Sequence, residues 1–356
     1  MKSDRIERLK RRARAEGIDC ILLVPGVNLY YLTGLQMSLS ERITLVGIPV
    51  RGKPFAVAPS FEAERVSRGT GIETVFTYAD ERGPLSAVLQ AKLRTRGKIF
   101  GVEYRYMRLL ELDLVRKAVK GVDTKDIGTI LAQLRSVKDR AELKLMVHAA
   151  GIVDKAVEAG IRAVRPGISE QKVADMVLAT IRRQGASGEL SVASGPNSAI
   201  PHAQTTDRVM RSGDAVWIDI VVQYENYVAD ITRTCFAGKP DREMLKVFNA
   251  VYKAQQHART KARPGMTGAQ IDALCRDHIT QAGYGRLFTH RTGHGIGLEV
   301  HEEPYIVKSN KTKLKPGMTF TIEPGVYLQG KGGVRIEDDM VLTDTGARTL
   351  TDARRR

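Results

Sequence analysis

Through about residue 125 the hydrophobic pattern switches repeatedly between short apolar runs and helical spacing. Residues 4–16 predict a helix, and Asp19-Cys20-Ile21-Leu22-Leu23-Val24 a buried strand. Residues 28–34 read as a short turn or helix closed by Gly34. Residues 42–50 and 53–58 predict a strand pair with Gly52 in the turn between them. Helix is then expected over residues 61–67, 84–93 and 107–119, and strand over 73–76 and 98–102. This alternation predicts an α/β domain over residues 1–125. Its few candidate catalytic residues do not cluster, so a recognition or assembly role is expected of it. A connecting segment follows over residues 126–138.

From residue 139 the pattern changes. Residues 140–164 predict a long amphipathic helix, with Leu143, Met146, Val147, Ala150, Val153, Ala156 and Val157 on one side. It stops at Arg165-Pro166-Gly167, and Ser169, with Glu170 behind it, caps the next helix. The same word returns as Arg263-Pro264-Gly265-Met266-Thr267. Pro166 stands 19 positions before Gly185, and Pro264 stands 19 positions before Gly283. Both copies predict helix, capped helix, glycine, then strand. The expectation is a duplicated half-domain with pseudo-twofold symmetry over residues 139–356. A site at the seam would take ligands from both halves.

Five polar residues interrupt stretches that otherwise look buried. Asp219 lies in Val-Trp-Ile-Asp-Ile-Val-Val, and Asp230 follows on the next strand of a predicted hairpin. A buried carboxylate is costly unless it is paired or bound to a cation, so two of them here point to a metal site. The second half adds His294 in Thr-Gly-His-Gly-Ile-Gly, Glu323 in Thr-Ile-Glu-Pro-Gly, and Glu337 in Val-Arg-Ile-Glu-Asp. Four carboxylates and one imidazole form an oxygen-rich set. Such a set suits Mn²⁺, Co²⁺, Fe²⁺ or a pair of such ions better than it suits a structural zinc ion, which favours sulfur. Two divalent ions would balance the four negative charges, which favours a dinuclear site with ions about 3.5–4 Å apart.

Composition narrows the rest. A chain of 356 residues is long for one core, and its 42% hydrophobic and 27% charged content fits a globular protein. No apolar run approaches the roughly 20 residues that span a bilayer. Residues 1–16 are charged and lack the apolar core of a signal peptide, so a cytoplasmic location is expected. Cys20, Cys235 and Cys275 show neither metal spacing nor a disulfide framework. The net charge of +16 could serve nucleic acid or anionic substrates. There is no aromatic-interleaved basic motif, zinc-finger spacing or long lysine block, and Arg354-Arg355-Arg356 reads as a solvated tail. Neither a specific nucleic-acid partner nor a membrane is expected.

At the five interrupting residues the chain resembles the pita-bread metallopeptidases of peptidase family M24, which include methionine aminopeptidases, aminopeptidase P and prolidase. The order Asp, Asp, His, Glu, Glu matches, as do the words Ala-Asp-Ile-Thr-Arg-Thr, His-Arg-Thr-Gly-His-Gly-Ile-Gly, His-Glu-Glu-Pro, Thr-Ile-Glu-Pro-Gly-Val-Tyr and Gly-Val-Arg-Ile-Glu-Asp. The resemblance implies a creatinase-like N-terminal α/β domain followed by a pita-bread catalytic domain. It implies that Asp219 holds one metal, that Asp230 and Glu337 bridge two, and that His294 and Glu323 hold the other. Mn²⁺ or Co²⁺ leads, with Zn²⁺ and Fe²⁺ also accommodated. Glu323 would take the proton from a metal-bridging water. His202 and His301 match substrate-side histidines that stabilise the tetrahedral intermediate, His290 a further pocket histidine, and Arg335 the arginine that orders the metal site. A homodimer or larger homo-oligomer is implied as well.

The N-terminal domain, the His-Glu-Glu-Pro word and the retained five ligands resemble the proline-specific branch. The expected activity is hydrolysis of the Xaa-Pro bond at the N-terminus of a dipeptide or short peptide. The alternative is a hydrolase of the same fold acting on a non-peptide C–N bond, and a third class is a binding module that exploits the positive charge. Dipeptidase and longer-peptide aminopeptidase stay open. A dipeptidase must recognise a free carboxylate, most simply with arginine. In some archaeal-type prolidases an arginine follows the His-Glu-x-Pro word, whereas here Tyr305 takes that place. Arg42, in the loop after Gly34, is the candidate substitute.

Overall fold

Helix α1 (Ser3–Ala15) turns Ile6, Leu9 and Ala13 inward and leads into β1 (Cys20–Leu23), whose four residues are all buried. The computed structural model describes residues 2–91 and 98–354, and the chain divides into two units between Arg135 and Ser136. The first unit continues through α2 (Val27–Thr33), β2 (Leu45–Pro49), β3 (Phe55–Pro59), α3 (Ala63–Thr70), β4 (Val75–Tyr78), α4 (Leu85–Ala91), β5 (Ile99–Val102), α5 (Leu109–Ala118), β6 (Asp123–Asp126) and α6 (Gly128–Ser136). Its six strands form one mixed sheet in the order β4-β3-β2-β1-β5-β6, antiparallel only at the β1–β2 and β2–β3 pairs. The α/β alternation is therefore realised.

Two elements depart from the expected pattern. Strand β6 reads Asp-Thr-Lys-Asp and lies at the sheet edge, where it needs no apolar face. Helix α6 occupies most of the stretch expected to be a connecting segment. Residues 92 and 93 of the helix expected over 84–93, and Arg355 and Arg356 of the expected tail, lie outside the described residues.

The second unit realises the repeat. Helices α7 (Arg140–Ala163) and α8 (Glu170–Arg183) precede β7 (Ser187–Ser194), β8 (Ala215–Tyr224) and β9 (Tyr227–Phe236). Helices α9 (Arg242–Lys261) and α10 (Gly268–Gln281) precede β10 (Gly293–Gly295), β11 (Glu302–Ile306), β12 (Thr319–Ile322), β13 (Gly325–Leu328), β14 (Gly332–Arg335), β15 (Asp338–Leu342) and β16 (Ala347–Thr349). The Pro-Gly turns match in backbone as well as sequence. Gly167 has φ +88° and donates its N–H to the Met210 carbonyl, and Gly265 has φ +87° and donates to the Leu314 carbonyl. Both are left-handed positions that a side chain would strain. Ser169 and Thr267 then cap their helices through the side-chain oxygen, which accepts the N–H of Lys172 and of Gln270.

The strands of this unit form a three-stranded sheet β7-β8-β9, a five-stranded sheet β11-β10-β12-β15-β16 and the pair β13-β14. Helix α7 packs on β8 and β9. Helices α9 and α10 bury Val247, Val251, Ile271 and Cys275 against Phe320, Ile322 and Met340 of the larger sheet. Helices thus cover the outer faces of the strands, and the polar interruptions collect on the other side. Among the described residues no helix is long and apolar enough to cross a membrane.

Candidate metal centre and active site

Strands β8 and β9 form a hairpin through Glu225 and Asn226, both at positive φ, the geometry of a two-residue turn that matches strand twist. The register pairs Asp219 with Thr232 and Val221 with Asp230. Because side chains alternate faces, Asp219 and Asp230 share one face as diagonal neighbours across the pair. Asp230 is buried, and Asp219 is half-buried. The Asp230 N–H donates to Asp339 Oδ2 at 3.0 Å, and the Glu337 N–H donates to the Thr232 carbonyl at 3.0 Å. These two bonds seat the residues around β15 against β9, so that a carboxylate from each half of the repeat meets the other.

His294 enters from β10, an inner strand of the five-stranded sheet. Its neighbours must be glycine. A Cβ at Gly293 would stand 1.9 Å from the Thr321 carbonyl oxygen, and one at Gly295 would stand 2.3 Å from the Glu303 backbone. The bare backbone lets β10 slot between β11 and β12, with the imidazole buried at the centre. His294 Nδ1 lies 3.1 Å from the Gly295 carbonyl oxygen. A carbonyl only accepts, so Nδ1 carries the proton and Nε2 presents its lone pair. Nε2 lies 3.3 Å from Glu323 Oε1 and 3.9 Å from Asp230 Oδ2.

Asp230, His294 and Glu337 each offer one ligand atom, and these atoms lie within 4.8 Å of one another. Glu337 is aimed by Thr232, whose hydroxyl donates to Oε2 at 2.7 Å. Glu323 borders the triad through Oε1. Asp219 faces Arg335, whose Nη2 donates to Oδ2 at 2.5 Å.

Comparison with known proteins places this geometry. Residues 144–344 match metallopeptidase family M24, and residues 5–137 match the creatinase/prolidase N-terminal domain. The chain belongs to metallopeptidase family M24. It is 34% identical over 352 residues to the uncharacterized peptidase YqhT of Bacillus subtilis, covering 98% of this chain and 97% of that one. The solved Xaa-Pro dipeptidase from Bacillus anthracis is similar at 32% identity and a TM-score of 0.92, over 100% of this chain and 99% of that chain. The prolidase from Thermococcus sibiricus is similar at 36% identity and a TM-score of 0.92, over 100% and 98%.

Membership of this family implies divalent metal ions, and the residues present fit them. Asp230 Oδ1 and Glu337 Oε1 are buried oxygens with no hydrogen-bond partner among the described residues. Desolvation, then the Asp219 charge, pushes the Asp230 carboxyl well above the ordinary carboxylate range. Desolvation, then the Asp230 charge, does the same to Glu337, and desolvation pushes Glu323 up to about 7. Burial, aided by His301, lowers His294 to about 3, so it is a neutral ligand. Crowded carboxylates with unused lone pairs beside a neutral imidazole form a set that a cation completes.

Around the centre runs a hydrogen-bonded chain. His290 Nδ1 donates to the Arg291 carbonyl at 2.7 Å, which leaves Nε2 to accept from the Tyr327 hydroxyl at 2.9 Å. Arg335 Nη1 donates to the same hydroxyl at 2.9 Å, and its Nη2 holds Asp219. The Arg335 guanidinium also lies 4.6 Å from the Trp217 ring centroid. Sequence reasoning assigned no role to Tyr327 or Thr232, although both stand in the quoted motif words. Nothing in their spacing shows that one joins a histidine to an arginine and the other orients a ligand. Tyr327→Phe should cost about 1–2 kcal/mol, because half-buried His290 loses its donor and buried Arg335 an acceptor. Urea denaturation of the metal-free protein measures this, and an unchanged midpoint would refute it.

The remaining candidate residues of the second unit lie around this core. His301 stands at the exposed edge with its ring edge-on to His294, centroids 4.3 Å apart. Its neighbour Glu302 is fixed by a buried ion pair with Lys138 at 2.5 Å. His202 is exposed, just after the short 3-10 turn Gly195–Ala199. Tyr305 lies on β11 beneath the Arg291 guanidinium, 5.2 Å from the ring centroid. Arg42, in the first unit, is taken up by Asp80 at 2.8–3.1 Å and by Glu41.

Proposed function

We propose that this M24 peptidase is an exopeptidase that hydrolyses the Xaa-Pro bond at the N-terminus of dipeptides or short peptides. The observation that carries this reading is the convergence of Asp230, His294 and Glu337 within 4.8 Å, with Glu323 on their border. Asp219, Asp230, His294, Glu323 and Glu337 would hold two divalent ions, Mn²⁺ or Co²⁺ in the first instance. Such ions supply a Lewis acid for the scissile carbonyl and an acidified water.

The chain's own groups carry the protons. Glu323 accepts a proton from the attacking water as its oxygen bonds to the carbonyl carbon. As the C–N bond breaks, Glu323 returns that proton to the proline nitrogen, which leaves as an amine. His301 is kept neutral, first by desolvation and then by the Arg291 charge. It and His202 donate hydrogen bonds to the developing oxyanion. Arg335 holds Asp219 in place, and Tyr327 and His290 hold Arg335. A proline nitrogen carries no N–H, so the site needs shape at that atom rather than an acceptor. The likeness to the Xaa-Pro dipeptidase of Bacillus anthracis and the prolidase of Thermococcus sibiricus supports this choice of bond. The family resemblance extends the reading to a cytoplasmic homodimer or larger oligomer, which light scattering checks.

The test is product analysis after metal reconstitution on Ala-Pro, Ala-Pro-Ala and Ala-Ala-Ala. Release of alanine from the proline peptides, with turnover of Ala-Ala-Ala at least about 100-fold slower, is expected. Equal turnover of all three would refute proline specificity. Metal-loaded protein that cleaves none would point instead to a non-peptide C–N bond.

A further inference from the structure

A dipeptide substrate of Xaa-Pro type carries its free carboxylate on the residue that follows the scissile bond. An enzyme that prefers such a substrate needs a cation beside its substrate-side groups, and it must not already be neutralised. The second unit contains one. The guanidinium of Arg291 makes no hydrogen bond or ion pair among the described residues, although the side chain is only half-exposed. It rests on the ring of Tyr305, 5.2 Å from the centroid, which holds its plane without using its five donors. Arg291 is three residues before His294, and its charge reaches the site. After desolvation it is the next cause that keeps His301 neutral, and it is among the charges that pull Glu323 down against desolvation. Nearby arginines are committed elsewhere. Arg335 is taken by Asp219 and Tyr327, and Arg276 is taken by Asp272 and the carbonyls of Phe288 and His290.

We propose that Arg291, stacked on Tyr305, is the residue that binds the free carboxylate of the substrate and makes the enzyme prefer dipeptides. This rests on the Xaa-Pro reading above and deepens it. The substrate class is then an Xaa-Pro dipeptide with an ionised terminus. Tyr305 acts as the platform that keeps the guanidinium fork flat and facing outward. A peptide extended beyond proline presents a neutral amide at that point and gives up a charge-assisted, two-pronged contact.

The experiment compares Ala-Pro with Ala-Pro amide, which differ only in that charge, on the metal-loaded enzyme. The parent should favour Ala-Pro in kcat/KM by about 30- to 100-fold, with most of the difference in KM. Arg291→Ala should reduce the ratio to about 1, with the loss falling on Ala-Pro far more than on the amide and read mainly in its KM. The double variant Arg291→Gly with Tyr305→Arg moves a guanidinium to the neighbouring position and should restore a ratio above about 10. A ratio that survives Arg291→Ala overturns the proposal, and so does a variant that loses both substrates alike. A ratio lost in Arg42→Ala but kept in Arg291→Ala would assign the anchor to Arg42. A parent that cleaves both substrates equally removes the carboxylate anchor and leaves the Xaa-Pro reading standing. A parent that binds metal and cleaves neither overturns that reading itself.

Discussion

Glu323→Gln should lower kcat by about 10³-fold with the fold intact. Glutamine keeps an oxygen that can still face a cation, and it keeps the shape of the side chain. It cannot accept the proton of an attacking water, nor return one to the leaving nitrogen. Position favours Glu323 for this role over its neighbours. Asp230 and Glu337 are enclosed, whereas the Glu323 side chain retains 14% of its exposure and so meets incoming water and substrate. Asp219 is committed to Arg335. Desolvation holds Glu323 near 7 in the metal-free protein, and bound cations would draw that value down toward the ionised form a base requires. Steady-state kinetics with elemental analysis decide the matter. A loss of less than about 10-fold in a variant that retains its metal would remove Glu323 from proton transfer.

How much of this was legible in the sequence depended on whether a residue advertised itself locally. The repeat did, because helix caps and Pro-Gly turns are contiguous words. So did Asp219, Asp230, His294, Glu323 and Glu337, since each breaks an apolar or glycine-rich pattern whose physical meaning is burial. The glycines flanking His294 were visible, but the reason for them was not. It lies in the approach of Thr321 and Glu303, which belong to other strands. Strand β6 had no apolar face to announce it, and α6 fell in a stretch too short to weigh as an element. Tyr327 and Thr232 sit in the motif words but act on His290, Arg335 and Glu337, contacts that no periodicity encodes. Arg42 stood out as a loop arginine, whereas Arg291 passed without a role inside the His-Arg-Thr-Gly-His word. They differ because Asp80, 38 residues away, holds the first, while only an aromatic ring lies under the second.

The other large effect expected is that of Asp230→Asn, which should abolish metal binding at the triad and cut turnover by at least about 10³-fold while leaving the metal-free protein as stable as the parent or more so. Asp230 Oδ1 is buried without a donor, and its carboxyl is raised by desolvation and by Asp219, Asp339 and Glu323. A carboxyl whose folded pKa exceeds its unfolded value stabilises the fold only while protonated. That contribution is complete below the unfolded carboxylate range and is lost as pH rises through the folded value. For Glu323 the window runs from about 4.5 to about 7, and Asp230 and Glu337 are shifted in the same direction. The metal-free parent should therefore lose stability between those pH values, and Asp230→Asn should lose less, having one ionising group fewer. Cations reverse the balance. At a hundred times its dissociation constant, a metal that binds only the folded state adds about 2.7 kcal/mol to the parent. It should add nothing to the variant. Thermal melts across pH 4–8, with and without Mn²⁺, separate these outcomes. A variant that gains as much from Mn²⁺ as the parent, and turns over as fast, would show that Asp230 holds no metal, and the orphaned oxygens at the centre would need another explanation.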